Sequence, residues 1–344
     1  MRKITRRSFL AAAAVCGAAA ALTACGGSSA SSAAASSVAS SAAAGSAAAS
    51  GDSYTVGICQ LVQHAALDAA TQGFEDALTA EFGDNVKFDE QNASGEAPNC
   101  PTIINGFVSK NVDLILANAT SPLQAAASAT DTIPVLGTSV TDYATALEIK
   151  DWTGTVGGNI SGTSDLAPLD QQAAMVKEWF PDAKNVGLLY CSAEPNSQYQ
   201  VDKMTDYLTK LGYTCTPFTF TDTNDVASVA QSACAASDVI YIPTDNTAAN
   251  NTEAIANVVI PAKKPVIAGE SGICGGCGVA TLSISYYDLG YTTGQMAAKI
   301  LKGEADISTM PVEFAPKTTK MYNAANCTAL GLTVPEGYTA LDAN

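Results

Sequence analysis

Short apolar runs alternate with amphipathic stretches from residue 53 almost to the end of the chain. Tyr54-Thr55-Val56-Gly57-Ile58-Cys59 reads as a strand, and Leu67, Thr71, Phe74, Leu78 and Phe82 then recur at helical spacing. Val86-Lys87-Phe88 predicts a second strand, and Pro101 suits the first turn of the helix that follows. Residues 112–116 and 133–136 are the next strands. Between them Ser121 is placed to cap a helix and Pro122 to begin it. The rhythm restarts after Gly157-Gly158-Asn159. Met175, Val176, Trp179 and Phe180 mark a helix, residues 186–190 a strand, and Val201, Met204, Leu208 and Leu211 another helix. Strands are expected at Thr214–Phe220, Val239–Ile242, Val266–Ala268 and residues 282–285. A helix with Leu289, Thr293, Met296 and Ile300 on one stripe comes next, then an extended segment over 310–314.

Strand, helix, strand at this spacing predicts parallel sheets covered on both faces, an α/β fold. Two such runs, each too small to be the whole protein, predict two lobes. Their expected extents are 51–160 plus 286–308 for the N-terminal lobe and 161–285 plus 309–344 for the C-terminal lobe. The chain would cross between them near 159–165, 282–286 and 309–314.

The residues before 51 have a different character. Arg2, Lys3, Arg6 and Arg7 precede an Ala-rich apolar stretch that ends at Leu22-Thr23-Ala24-Cys25. That layout is a signal peptide, too short to span a bilayer. Its end resembles a bacterial lipobox, which would make Cys25 the lipidated first residue of the mature protein and its link to the membrane. Thr5-Arg6-Arg7-Ser8-Phe9-Leu10 fits either a twin-arginine export motif or the basic start of a general leader. Residues 26–50 are almost wholly Ser, Ala and Gly. They cannot bury enough apolar surface to fold and read as a flexible tether spanning about 25–30 Å.

Charge narrows the choice of partners. Four of the 17 Lys+Arg lie in the leader, leaving 13 against 33 Asp+Glu. Such a surface repels polyanions, which argues against nucleic acid. Of ten cysteines, Cys16 leaves with the leader and Cys25 is the lipid site, so eight remain. An even set in an exported chain favours disulfides, with 105 pairings open. Cys274-Gly275-Gly276-Cys277 has glycines where a redox motif needs a stiff helix, so a structural disulfide or buried thiols fit it better than redox or metal chemistry.

Five separated segments carry a resemblance. They are Gln60-Leu61-Val62-Gln63-His64-Ala65-Ala66-Leu67-Asp68 with Gln72-Gly73-Phe74, the run Asn159-Ile160-Ser161-Gly162-Thr163-Ser164-Asp165, Pro243-Thr244-Asp245-Asn246-Thr247, and Tyr286-Tyr287-Asp288-Leu289-Gly290. In this order they resemble ABC-transporter substrate-binding proteins of the tryptophan/tyrosine-receptor type, from about residue 54 to 335. The resemblance implies a type I periplasmic-binding-protein fold: two Rossmann-like lobes, a three-strand hinge, and capture of a small ligand, an aromatic amino acid in members whose ligand is known. It also implies an ABC permease and its ATPase as partners, and no cofactor. Gln63 stands where the family usually has an acid, Tyr143 where Pro is common, and the 271–278 tract is unusual. Each departure lies near the expected cleft.

Ligands of open α/β sheets sit beyond the carboxyl ends of the strands. That rule selects Gln60, Gln63, His64, Thr120, Ser121, Thr138, Ser139, Thr141, Asp142, Asn196, Ser197, Thr244, Asp245, Asn246 and Glu270. Thr120 and Ser121, at a helix start, suit a ligand carboxylate or simply cap the helix. Asp142, Asp245 and Glu270 suit an ammonium, with a turn role after the strand as the alternative for the two aspartates. His64, the one histidine, is a ligand contact or a packing residue. Tyr143 and Tyr199 either stack on an aromatic ligand or have surface or lobe-packing roles, and Asn196 and Ser197 read first as helix caps. One histidine excludes multi-His metal sites and leaves few acid–base arrangements, and no G-x-S-x-G, P-loop or H-E-x-x-H is present. No catalytic residue or metal ligand is assigned. A regulator's sensing half would need a helix-turn-helix before residue 60, where the leader stands. An anchored sensor, or a nucleoside or peptide ligand, stays compatible with the pattern.

Overall fold

A computed structural model describes residues 53–341. The leader, Cys25 and the Ser/Ala stretch lie outside them. The chain runs through β1 (Tyr54–Gln60), α1 (Ala65–Phe82), β2 (Val86–Asn92), α2 (Cys100–Lys110), β3 (Leu114–Asn118), α3 (Thr120–Ala129), β4 (Val135–Val140), the single turn α4 (Tyr143–Ala146) and β5 (Ile160–Ser164). It continues with α5 (Leu169–Trp179), β6 (Asn185–Cys191), α6 (Pro195–Lys210), β7 (Thr214–Phe220), α7 (Val226–Ala236), β8 (Val239–Ile242), α8 (Asn246–Asn250), α9 (Thr252–Val259), β9 (Val266–Ala268), α10 (Ser271–Gly276) and β10 (Ala280–Ile284). The last elements are α11 (Tyr286–Leu301), β11 (Glu313–Phe314), β12 (Thr318–Tyr322), α12 (Ala324–Leu330) and β13 (Thr339–Ala340).

Two sheets form. The first has the order β11-β5-β4-β3-β1-β2 and is parallel throughout. The second has the order β13-β12-β10-β9-β8-β6-β7, with β10 and β12 its one antiparallel pair. Every residue of β3, β4, β8, β9 and β10 is buried, as continuous apolar strands between helical layers require. β7 is the exposed edge and accommodates Pro217, whose missing N–H no neighbour needs. Apolar clusters cover both faces of each sheet.

Several expectations shift. β5 pairs along β4 and β11 along β5, so residues up to Ser164 and Phe314 belong to the first sheet, a few positions beyond the boundaries drawn at 160 and 308. The crossings fall after Ser164, after Ile284 and after Phe314. β3 begins at Leu114 instead of 112, because Asn111 closes α2 in the left-handed conformation and the Val112 N–H still bonds Phe107. α3 starts at Thr120 behind Ala119, which holds φ 106°, so Ser121 lies inside the first turn and does not cap it. α6 likewise starts at Pro195, placing Asn196 and Ser197 within its first turn.

The cysteines also depart from the reading. All eight among the described residues are free thiols, and all but Cys215 are buried. They serve as small apolar side chains within the clusters around the sheets. α10 includes both glycines of Cys274-Gly275-Gly276-Cys277, so that segment is helical after all, with Glu270 capping its start.

Candidate functional site

The ends of β1, β4, β8 and β9 converge with two of the crossing segments on one enclosed pocket. His64, Ala66, Leu67, Ser139 and Thr141 line it from the first lobe, and Asn196, Thr244, Asp245, Asn246, Ala249 and Glu270 from the second. Asp165 and Tyr286, on the crossings, complete the wall. The cavity volume is about 10 Å³, room for roughly one water. His64 Nε2 lies 3.3 Å from Asn246 Oδ1 and thereby joins the lobes across the pocket. Burial holds the imidazole below its ordinary value, while Asn246 and the charges of Glu194 and Asp68 pull it back.

A second, more open crevice of about 230 Å³ adjoins it and shares Asn246. Leu61, Val62, residues 94–98 and Ser121 face it from one side, and residues 193–194, 221–223 and 246–247 from the other.

The acidic groups differ in how fully they are committed. Asp245 accepts hydrogen bonds from the Cys191 N–H, the Ser197 hydroxyl and the Ala248 N–H, each at 2.7 Å. It therefore ties β6, α6 and α8 together. Burial, reinforced by nearby Glu194, nevertheless pushes its carboxyl up, and the three donors oppose that. Glu270 is buried and accepts the Gly272 and Ile273 N–H groups as the cap of α10. Burial pushes it up to about 7 against those donors, with the Asp165 charge adding to the rise. Asp165 is buried, receives the Tyr286 hydroxyl on Oδ2 at 2.9 Å, and has no partner for Oδ1. Its carboxyl is raised by burial, and the neighbouring Thr141 hydroxyl and Tyr286 counter part of this.

Ser139 is also uncommitted. Its hydroxyl is buried with no partner, and its backbone holds φ 54° where the β4–β5 register is interrupted. A non-glycine residue held in that region marks a local strain that the surrounding sheet must sustain.

Of the fifteen residues expected at the site, His64, Ser139, Thr141, Asn196, Thr244, Asp245, Asn246 and Glu270 line the enclosed pocket. The other seven lie elsewhere. Gln60 is spent on the β1–α1 turn, accepting from Thr71 and donating to Asp68 and the Val62 carbonyl. Gln63 is exposed and faces a separate surface depression with Asp68, Glu90 and Asn92. Thr138 joins a buried hydroxyl cluster with Thr163 and Thr293, which pins α11 to β4 and β5. Asp142 caps α4 by accepting the Thr145 N–H at 2.7 Å. Ser197 serves Asp245, Thr120 is buried at the start of α3, and Ser121 borders the outer crevice. Tyr143 is packed inside the first lobe with its hydroxyl on the Thr163 carbonyl, and Tyr199 is absent from the pocket lining.

Three residues outside the expected set matter. Asp165 and Tyr286 stand on crossings, just past the carboxyl ends of β5 and β10. Glu194 is a buried carboxylate that takes the Asn246 and Thr247 N–H groups and both of their side chains. It holds Asn246 where that residue meets His64. The resemblance motifs contain Asp165 and Tyr286 as their terminal and initial residues, which was the available signal. Glu194 offered none beyond its place between a strand and a helix.

Comparison with known proteins agrees with this architecture. Residues 55–343 match the family described as ABC transporter substrate binding protein. A tyrosine-binding protein of Clostridioides difficile (strain R20291) is 36% identical over 280 residues, covering 80% of this chain and 81% of that protein. An ABC domain from Streptococcus pneumoniae in complex with L-Trp superposes with TM-score 0.80 at 32% identity, covering 84% of this chain and all of that one. A ligand-free, open substrate-binding protein with adhesive properties from Clostridium difficile gives TM-score 0.65 at 37% identity, covering 85% of this chain and all of that one. The fold is that of the type I periplasmic binding proteins. With the family matched over nearly the whole described chain, the protein belongs to the ABC transporter substrate-binding proteins.

Proposed function

We propose that the protein captures an aromatic amino acid between its lobes outside the cytoplasm and delivers it to an ABC importer. The observation that carries this reading is the enclosed pocket, built from both lobes at the strand ends and lined by carboxyl, hydroxyl, amide and imidazole groups. Such a lining suits a zwitterion, whose ammonium needs acidic acceptors and whose carboxylate needs donors. The tyrosine-binding and L-Trp-bound relatives favour an aromatic side chain.

Capture proceeds by hinge closure. The chain superposes better on the L-Trp complex than on the open relative, although the open relative is the more similar in sequence. Its lobes therefore stand in an arrangement closer to the liganded one. With room for roughly one water, the pocket admits an amino acid only after the lobes part. The ligand then favours closure to the extent that it contacts both lobes at once. The leader pattern supports lipidation at Cys25, with residues 26–50 as the tether to the membrane. The family supports a permease and its ATPase as partners and solute binding without catalysis. One observation favours a second reading, a ligand longer than a single residue: the outer crevice continues from the pocket through Asn246.

The test is a thermal-shift screen of residues 51–344 against the twenty amino acids, nucleosides and short peptides. A ligand that binds only the folded state stabilises it by about 2.7 kcal/mol at 100 times its Kd. A shift confined to Trp, Tyr or Phe is expected. A shift with peptides alone moves the assignment to the second reading, and no shift with any amino acid refutes the first.

A further inference from the structure

The geometry points to Asp165 as the group that reads the ligand's ammonium, so that amine recognition takes place on the hinge itself and not on either lobe face. This rests on the amino-acid reading above and adds to it the residue that discriminates the ligand and the means by which discrimination reaches the hinge.

Four observations converge. Asp165 follows the last residue of β5 on the first crossing, and Tyr286 opens α11 on the second. The Tyr286 hydroxyl donates to Asp165 Oδ2 at 2.9 Å, so one carboxylate ties two of the three crossings together. Its other oxygen, Oδ1, is buried with no hydrogen-bond partner, on a residue that lines the pocket. Buried carboxylate oxygens are nearly always paired, so this one is poised for a donor brought from outside. Finally, the alternatives are occupied: Asp245 already has three donors, and both Glu270 oxygens are engaged by the α10 N-terminus. Among the acids bordering the pocket, only Asp165 has an oxygen with no hydrogen-bond partner in good geometry, although the Thr141 hydroxyl stands beside the carboxyl.

Ser139, on β4, lines the same pocket and has a buried hydroxyl without a partner. It supplies a second polar contact to whatever donor approaches Asp165. Tyr286 is a positioning residue in this scheme, since its hydroxyl holds the carboxylate on Oδ2 and so presents Oδ1. An ammonium on Oδ1 completes a chain from ligand to Asp165 to Tyr286 that spans two crossings. Because the lobes turn about those crossings, the cation contact and the closed state favour one another.

The experiment compares L-tyrosine and L-tryptophan with desaminotyrosine and desaminotryptophan, which lack only the amine, by titration calorimetry. Wild type, Asp165→Asn, Tyr286→Phe and, as control, Asp142→Asn are measured, with circular dichroism melts to establish folding. Truncating one side of a buried charge-assisted contact should cost about 30-fold or more in affinity. Wild type should therefore prefer the amino acids by at least that factor, and Asp165→Asn should bring the two ligand sets within about tenfold of each other. Tyr286→Phe should weaken amino-acid binding more than desamino binding, which a general loss of structure would not do. It also carries the test if Asp165→Asn does not fold. Full amine preference retained in Asp165→Asn, or equal losses for both ligand sets in Tyr286→Phe, overturns the assignment while leaving the amino-acid reading intact. Wild type that binds no amino acid overturns both.

Discussion

Replacing Asp245 by alanine should damage the fold more than the ligand affinity. At sequence level Asp245 reads as a partner for an ammonium, yet the structure has it holding the second lobe together. The substitution strands three buried donors: the Cys191 and Ala248 N–H groups and the Ser197 hydroxyl. A stranded buried donor costs about 1–3 kcal/mol, and the hydroxyl can recover part by rotation. Removing a carboxyl that burial and Glu194 disfavour returns some of this. The net loss should be about 3 kcal/mol, a large share of the roughly 5–15 kcal/mol that holds a domain folded. In urea unfolding of residues 51–344, the midpoint should fall by about 1 M or more. Affinity for the amino acid that stabilises the wild type, measured far below that midpoint, should change less than about tenfold, because every Asp245 contact is internal. An Asp245→Ala protein with a wild-type midpoint and no ligand binding would refute this and return Asp245 to the role of ligand acceptor.

Two further outcomes follow from the packing and the buried acids. A Cβ on Gly290 would stand 1.9 Å from the Ala70 carbonyl oxygen, and one on Gly73 2.1 Å from that of Tyr287, so α1 and α11 touch through bare backbone. Gly290→Ala should force them apart at a cost of about 3 kcal/mol and lower the melting temperature, and an unchanged melt would show that the interface can yield. Glu270 lies above its ordinary 4.5, at about 7. The folded state then keeps a proton that the unfolded chain sheds first, so ligand-free stability should fall as pH rises from about 4.5 to about 7. A ligand ammonium held by Asp165 would stand in the field of Glu270 and favour its ionised form, so affinity should rise through the same range, with a proton released to the buffer. The groups bordering the pocket with them are Tyr286, Asp245 and His64. Glu270→Gln should lessen the stability slope, leaving the part due to Asp245, and a ligand affinity independent of pH would count against a cation beside these acids.

What the chain shows without coordinates divides by the range of the interaction. Period and turn residues are local, so the strand and helix rhythm is readable from Tyr54 to Leu301, including β7 with its proline. β12, α12 and β13 carry no such signal, because they are short, only partly buried or exposed, and lack a clear alternation. Capping depends on where a helix begins to within one residue. Ser121, Asn196 and Ser197 read as caps but lie inside their helices for that reason, and Asp142, read as an ammonium partner or turn residue, caps α4. The cysteines were read from compartment and parity, neither of which says which thiols meet. Their apolar surroundings come from packing.

The site divides in the same way. The strand-end rule found eight lining residues, because it is a property of parallel sheets and needs only the strand ends. It could not say whether a polar group there is free or already used. Asp245 and Asp165 look equally available in the sequence. They differ only because Cys191, Ser197 and Ala248 fold back onto the first, while the second meets one tyrosine 121 residues away. Asp165 and Tyr286, just past β5 and β10, also lie on the segments between lobes, which strand ends alone do not distinguish from other loops. In a protein that closes about a hinge, those segments border the ligand and rotate at once, so a single carboxylate there can govern both what is bound and whether the lobes stay shut.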